Sequence, residues 1–460
     1  MPRSFDAIVI GTGQAGPSLV ARLAASGLKT AVIERGSFGG TCVNTGCIPT
    51  KSMVASAYAA HVARRSADYG VHAGPVTVNL QEVKARKNRI LAQSRDGLES
   101  WLGGMENCSV YRGHARFESA HEISVGKERL TAGKIFINVG GRPVVPPIPG
   151  LDQVPFLNNR TIMELEELPS RLLILGGSYI GLEFGQMFRR FGSEVVILEK
   201  GPHLISKEDE DVSEGVRSIL EKEGVVVHAL AQNFQVRREK GEIRVRFDVS
   251  GEGKEVTGSH LLVAVGRRPN TDDLGLDKAG VATDKRGYIQ VDDQLRTSVP
   301  GLWALGDCNG KGAFTHTAYN DFEIVAANLL DNDPRKVSDR ITAYNLYVDP
   351  PLGRVGMTQA EAEKTGRPLL LGKRLMTKVG RAVEKGEDQG FMKVVVDAET
   401  KEILGAAILG VGGDEAIHSI LDVMYAKKPY TLIQRAVHIH PTVSELIPTM
   451  LGDLKPLSPK

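Results

Sequence analysis

Cysteine is scarce in this chain: four residues in 460. That excludes the disulfide-dense framework of a small secreted domain. Charge of one sign is nearly absent as a net quantity, +2 formally, and aromatic residues make up 5%. No basic tract with interleaved aromatics stands out, so a nucleic-acid partner is not expected. Long hydrophobic runs are missing too, and none approaches the ~18 residues of a membrane span. The opening "MPRSFDAIVIGTG" has no charged region followed by an apolar core and a cleavage site. No signal peptide is therefore expected, and the expected setting is cytoplasmic, with no membrane partner.

Glycine is abundant. The chain has 51, alongside 42% hydrophobic residues, which is enough for a large core and for two to four domains. A repeat explains many of them. The strand "AIVIG" runs into "GTGQAG", so Gly11, Gly13 and Gly16 fit G-x-G-x-x-G, and an amphipathic helix pattern follows. A second strand, "TAVIERG", ends at Glu34. Glycines let a backbone approach a pyrophosphate at a helix N-terminus, and the terminal acid accepts hydrogen bonds from a ribose. The same order returns in "LLILGGSYIGLEFGQMF" and "EVVILEKG". Gly176, Gly181 and Glu199 lie 165 positions after Gly11, Gly16 and Glu34, with Ser178 in place of the middle glycine. Two dinucleotide sites are the simplest account of this spacing.

Two further segments echo each other, "IFINVGGRP" with Gly140 and "LLVAVGRRP" with Gly266. Each reads as a buried strand closing one nucleotide-binding unit. "TSVPGLWALGD" places Asp307 after a strand and a glycine, as a cofactor hydroxyl acceptor or as an ordinary turn aspartate. From about residue 341 glycine turns thin out. "GFMKVVVDAETKEILGAAILG" reads as an antiparallel hairpin and "DEAIHSILDVMYAKK" as a helix, which makes a third unit of α+β type.

"GGTCVNTGCIPTK" contains Cys42 and Cys47. Residues i and i+5 of an ideal helix are ~7.5 Å apart along the axis, whereas a disulfide wants Cα atoms within ~7 Å. A bridge needs a broken helix, which Gly46 permits. Pro49 then suits the first turn of the helix "PTKSMVASAYAAHVARR". A thiol at a helix N-terminus is biased towards thiolate. A structural zinc site would need a second closely spaced Cys/His pair, and none is present; two unrelated buried thiols remain an alternative. Cys108 reads as inert and Cys308 as a packing residue. A thiol pair beside two dinucleotide folds suggests electron relay, because a flavin accepts a hydride and also reacts with thiolates.

"GGTCVNTGCIPTK", the paired nucleotide motifs, "VGRRPNT", "WALGD" and "HPTVSE" together resemble the flavoprotein disulfide reductases, a family that includes dihydrolipoamide dehydrogenase, glutathione reductase and mercuric reductase. The resemblance spans essentially the whole chain. It implies an α/β fold with two Rossmann-like dinucleotide-binding domains, for FAD and NAD(P), and a C-terminal α+β dimerisation domain. The implied boundaries are 1–150 and 269–340 for FAD, 151–268 for NAD(P)H and 341–460 for dimerisation. It further implies Cys47 as the thiolate facing the flavin in charge transfer, Cys42 as the thiol that exchanges with substrate, and a Lys51–Glu183 pair nearby. Gly11, Gly13, Gly16, Glu34, Thr41, Lys51, Gly140 and Asp307 fall on the FAD side, and Gly176, Ser178, Gly181, Glu199 and Gly266 on the NAD(P)H side.

In this family an acid–base dyad reaches the cysteines of the other subunit, and His440 with Glu445 matches it. A histidine suits proton transfer to and from thiols near neutrality. Thr442-x-x-Glu445 is equally a capping box, and His438 reads as structural. Glu199 favours NADH, since a carboxylate repels a 2′-phosphate, while the adjacent Lys200 leaves NADPH as the alternative. The expected activity is NAD(P)H:disulfide oxidoreduction on a small or protein-bound disulfide or dithiol, by a homodimer. The alternative is mercuric reductase-like reduction of metal ions or small oxidants. Against it, the tail "IPTMLGDLKPLSPK" has no cysteine pair to deliver a soft metal, and no resident metal site is expected.

Overall fold

The computed structural model describes residues 2–457. Its first unit begins with β1 (Arg3–Ile10), α1 (Ala15–Ala25) and β2 (Thr30–Glu34). Then come α2 (Gly40–Asn44), α3 (Cys47–Arg64), α4 (Leu80–Gly103) and strands β3 (Cys108–Arg112), β4 (Ala115–Ser119), β5 (Glu122–Val125) and β6 (Glu128–Ile137). The sheet order is β3-β2-β1-β6-β5-β4. β3, β2, β1 and β6 run parallel, while β4, β5 and β6 form an antiparallel meander. Ile8, Val9, Val32 and Phe136 are wholly buried, as strands covered on both faces require.

The second unit repeats the pattern with β8 (Arg171–Leu175), α5 (Tyr179–Phe191) and β9 (Glu194–Leu198). These strands join Val226–His228 and His260–Val263 in a parallel sheet, flanked by an antiparallel three-stranded sheet over 232–258. The chain then returns to the first sheet, where Leu302–Ala304 pairs in parallel with β6. The two Val-Gly-x-Arg-Pro echoes do more than close their own units. Their tails, β7 (Gly141–Pro143) and Arg267–Pro269, pair with each other antiparallel and so join the two units.

The third unit is a six-stranded antiparallel sheet that includes the expected hairpin, Phe391–Asp397 against Ile403–Leu409. The expected helix after it is broken into Gly413–Ala416 and His418–Tyr425. The architecture is therefore two dinucleotide-type α/β units with a C-terminal α+β unit. Among the described residues no helix is long and apolar enough to cross a membrane.

One packing contact sets up the chemistry. Met53 and Ala57 of α3 share a core cluster with Leu182 and Phe184 of α5. The cysteine-bearing helix of the first unit thus rests on the first helix of the second.

Candidate active site

α2 stops at Asn44 and α3 starts at Cys47, so the helix between the two cysteines is broken as the pair requires. Gly46 makes the break with φ −134° and ψ −116°, and a Cβ there would lie 2.9 Å from the Thr41 carbonyl oxygen. Cys47 is the first residue of α3, and Pro49 sits inside its first turn. Both thiols are free. The neighbouring Cys42 thiol lowers Cys47 to about 6, helped by the Thr315 hydroxyl and the Lys51 cation and opposed by burial and Glu183. Cys47, together with burial, raises Cys42 in turn. Cys42 therefore holds its proton while Cys47 gives its own up more readily.

Thr315 Oγ1 lies 3.1 Å from Cys47 Sγ and opens the helix Thr315–Leu330. Lys51, one turn along α3 from Cys47, pairs with Glu183 of α5 at 2.7 Å. The Glu183 side chain is 7% exposed, and its second oxygen accepts from the Tyr347 backbone N–H at 3.0 Å. Lys51 Nζ also stands 4.7 Å over the Tyr347 ring.

These groups form one end of a cavity of about 790 Å³, whose lining includes Gly11, Gly13, Glu34, Thr41, Gly140 and Asp307. Gly16 does not line it. A Cβ there would meet the Gly11 carbonyl oxygen at 2.3 Å, so Gly16 serves the close approach of α1 to the turn. Glu34 accepts from Thr12 N at 2.9 Å, Thr12 Oγ1 at 2.6 Å and Gly36 N at 2.8 Å, which fixes its carboxylate at the cavity wall. Burial raises the Asp307 carboxyl, with Arg267 opposing from 4.0 Å. Thr41 lies 3.5 Å from Arg267 Nη2.

A second cavity of about 1700 Å³ is lined by Gly176, Ser178, Glu199, Lys200 and Gly266 among others. Gly181 again packs rather than lines, since its Cβ would meet Gly176 O at 2.0 Å. Glu199 accepts from Gly177 N at 2.6 Å and Gly201 N at 2.7 Å, repeating the Glu34 pattern at the 165-residue offset.

His440 lies outside both linings and is 79% exposed. Its Nδ1 lies 3.0 Å from a Glu445 oxygen. Thr442 and Glu445 also exchange hydrogen bonds, at 3.2 and 3.4 Å, yet the helix begins only at Leu446. The pair closes a turn ahead of that helix, and the same carboxylate orients the imidazole. His438 is half-buried, with Nδ1 3.2 Å from the Ala436 carbonyl oxygen. Cys308 is wholly buried, its thiol donating to backbone carbonyls, and Cys108 is half-buried.

Thr315, Tyr347 and Asn138 were not legible from motifs. Asn138 follows β6 and donates from Nδ2 to the Gly11 and Gly13 carbonyls at 3.3 and 3.1 Å, bracing the first glycine turn. The signal that could have drawn attention to Thr315 is its position at the start of a helix shortly after Asp307.

The first cavity fits a flavin dinucleotide by its own chemistry. It has a glycine turn that a Cβ would fill, a fixed carboxylate for a ribose, a desolvated acid and, at the far end, a thiolate. The second has the same turn and carboxylate without the thiols.

Residues 5–321 match the model of the pyridine nucleotide-disulphide oxidoreductase family, and residues 342–451 match that family's dimerisation domain. The chain belongs to this family. It is therefore an oxidoreductase of the FAD- and pyridine-nucleotide-using type, with a domain that makes homodimers. The probable pyridine nucleotide-disulfide oxidoreductase RclA of Escherichia coli (strain K12) is 35% identical over 98% of this chain and 99% of its own length. The dihydrolipoyl dehydrogenase of Thermus scotoductus is 33% identical over 96% of each. The mercuric reductase of Lysinibacillus sphaericus is 30% identical over 90% of this chain and 76% of its own. Among solved structures, the HOCl-induced flavoprotein disulfide reductase RclA from Escherichia coli superposes with a TM-score of 0.89 at 33% identity, covering 98% of this chain and 100% of that one.

Proposed function

We propose that the chain is a homodimeric, NADH-fed FAD enzyme that passes electron pairs through Cys42 and Cys47 to a small or protein-bound disulfide, or takes them from a dithiol in reverse. The observation that supports this most is the thiol–thiolate pair at the end of the first cavity, with Lys51 and Thr315 stabilising the negative sulfur. The proposed units are 1–150 with 269–340 for FAD, 151–268 for the pyridine nucleotide and 341–460 for dimerisation.

FAD, when bound, supplies a centre that accepts a hydride on one side and exchanges an electron pair with sulfur on the other. The turn at Gly11 and Gly13, with Glu34, Thr41, Gly140 and Asp307, would hold it. Lys51 offers a cation beside the thiolate, and Glu183 fixes its position. Ser178 and the turn at Gly176 would take the pyridine nucleotide, with Gly266 on the same wall.

Cys42 keeps its proton at rest, and its deprotonated sulfur is the nucleophile. It attacks one sulfur of the substrate disulfide, forming a mixed disulfide and releasing one thiolate. The Cys47 thiolate then attacks the Cys42 sulfur, which forms the Cys42–Cys47 bond and releases the second thiolate. The pair loses two electrons and the substrate gains two. The imidazole of His440, oriented by Glu445, takes the Cys42 proton and returns it to a leaving thiolate. Because His440 lies outside the cavity of its own chain, the histidine serving each cysteine pair is the partner subunit's His440. Val437 and Ile439, 99% and 80% exposed beside it, are apolar surface suited to burial between subunits.

Co-expression tests this arrangement. Cys42→Ala and His440→Gln protomers are each inactive towards disulfides as homodimers, and their mixed dimer regains turnover at one of its two sites. A mixed dimer as inactive as its parents would place His440 elsewhere.

NADH is the proposed donor because Glu199 faces the second cavity as a fixed acceptor. Its hydrogen bonds to a ribose diol should contribute about 1.5–3 kcal/mol. Glu199→Ala should therefore raise KM for NADH about tenfold or more and leave that for NADPH level or lower. An unchanged NADH KM would contradict the role.

Metal-ion reduction is the second reading, favoured by one observation: structures of the similar RclA from Escherichia coli include its Cu(II) complex. Among the described residues no cluster of three His, Cys, Asp or Glu could hold a metal ion, so Cys42 and Cys47 would meet it directly.

A further inference from the structure

The two cavities share a wall. Tyr179, Phe314, His316 and Tyr344 line both. Three of these rings come from three different units. Tyr179 opens α5, Phe314 precedes the helix at Thr315, and Tyr344 lies on the strand Ala343–Leu346 of the third unit. Tyr344 stacks on Phe314 with centroids 5.6 Å apart and meets Tyr179 edge-on at 5.7 Å; Tyr179 and Phe314 meet edge-on at 5.8 Å. Such contacts fix ring orientation through the quadrupoles of the partners.

Tyr344 is held from behind as well. Its hydroxyl donates to Glu208, whose side chain is 0% exposed and is gripped by Arg354, itself 2% exposed. Arg354 Nε reaches the two Glu208 oxygens at 3.0 and 3.3 Å. Glu208 lies in the second unit, just before the helix Glu210–Lys222, whereas Tyr344 and Arg354 lie in the third. A wholly buried ion pair is costly to assemble and contributes geometry more reliably than stability. This one contributes geometry at the boundary between the cavities.

We propose that Tyr344, anchored by the Glu208–Arg354 pair, is a positioning residue for the reaction with pyridine nucleotide. It fixes the Tyr179 and Phe314 rings at the boundary a nicotinamide must face to give up its hydride. This rests on the assignment of the two cavities made above. Hydride transfer depends steeply on alignment, and a misplacement of about 1 Å can cost on the order of a hundredfold. Glu199 is held by Gly177 N and Gly201 N and makes no hydrogen bond to Tyr344, so loss of the anchor should show in the hydride-transfer rate rather than in affinity.

The test compares Tyr344→Phe with Asp211→Asn in the flavin-loaded enzyme. Asp211 joins the same two units through Lys373 at 2.6 Å and Lys393 at 2.9 Å and makes no hydrogen bond to Tyr344. Tyr344→Phe should slow anaerobic flavin reduction by NADH about tenfold, with KM for NADH within about twofold. Dithiothreitol should still open the Cys42–Cys47 disulfide at the wild-type rate. Amide hydrogen exchange over 343–346 should quicken in this variant and not in Asp211→Asn, which should keep its reduction rate.

Equal slowing in both variants would reduce the anchor to general inter-unit adhesion and overturn the proposal. So would an unchanged reduction rate in Tyr344→Phe, or a loss seen only in KM. If the wild-type flavin were reduced by neither NADH nor NADPH, the cavity assignment itself would fall.

Discussion

The two nucleotide-binding units are the same device held in two different ways. In each, a glycine at the strand end touches the neighbouring strand's backbone. A Cβ on Gly11 would lie 2.3 Å from Asn138 O, and one on Gly176 would lie 2.5 Å from Ala264 O. Each has a helix glycine packed on the turn and a glutamate pinned by two backbone amides. The difference is in the bracing. The first turn is tied down by the Asn138 amide and by the Thr12 hydroxyl, which donates to Glu34 and accepts from Gly39 N. The second has Gly177 and Ala264 at the corresponding places and neither brace. The first cavity is also the smaller, about 790 against 1700 Å³. A tight, cross-braced turn suits a dinucleotide that stays, and a plain turn on a wide cavity suits one that comes and goes with each turnover.

The sharpest way to break this comparison is to fill the two equivalent glycines. Backbone strain of about 1–3 kcal/mol corresponds to a loss of about five- to 150-fold in affinity. Gly11→Ala should yield protein depleted of flavin, read from visible absorbance. Gly176→Ala should keep its flavin and show a raised KM for NADH. If both variants lost flavin equally, the division of labour would be wrong.

A smaller effect separates the braces. Asn138→Ala removes two hydrogen bonds to the first turn, each contributing about 0.5–1.5 kcal/mol. It should weaken flavin retention on dilution and leave KM for NADH unchanged. Flavin retention equal to wild type would leave the bracing without a function.

Local signals made much of this legible in advance. The 165-residue offset is a covalent regularity, and the structure repeats it down to the hydrogen bonds of Glu34 and Glu199. The thiol pair was legible because three glycines, a proline and two cysteines in thirteen residues leave few backbone paths. Thr315, Tyr347 and Asn138 were not, because each acts at a site assembled from segments far apart in the chain. Tyr347 lies 164 residues from Glu183, the carboxylate it hydrogen-bonds. The buried Glu208–Arg354 pair was hidden for the same reason: a charge in the sequence gives no sign of where it is buried until the sheet that covers it is known. The Thr442–Glu445 pattern fits a cap and a dyad equally in the sequence, and in the structure one carboxylate serves both the turn and the imidazole.

The most direct measurement is the number of reducing equivalents each protomer accepts in an anaerobic dithionite titration. A flavin takes one electron pair and a Cys42–Cys47 disulfide takes a second. The purified, oxidised wild type should therefore take up twice as many electrons as Cys42→Ala at equal flavin content. Equal uptake by the two proteins would mean that these cysteines are not part of the relay.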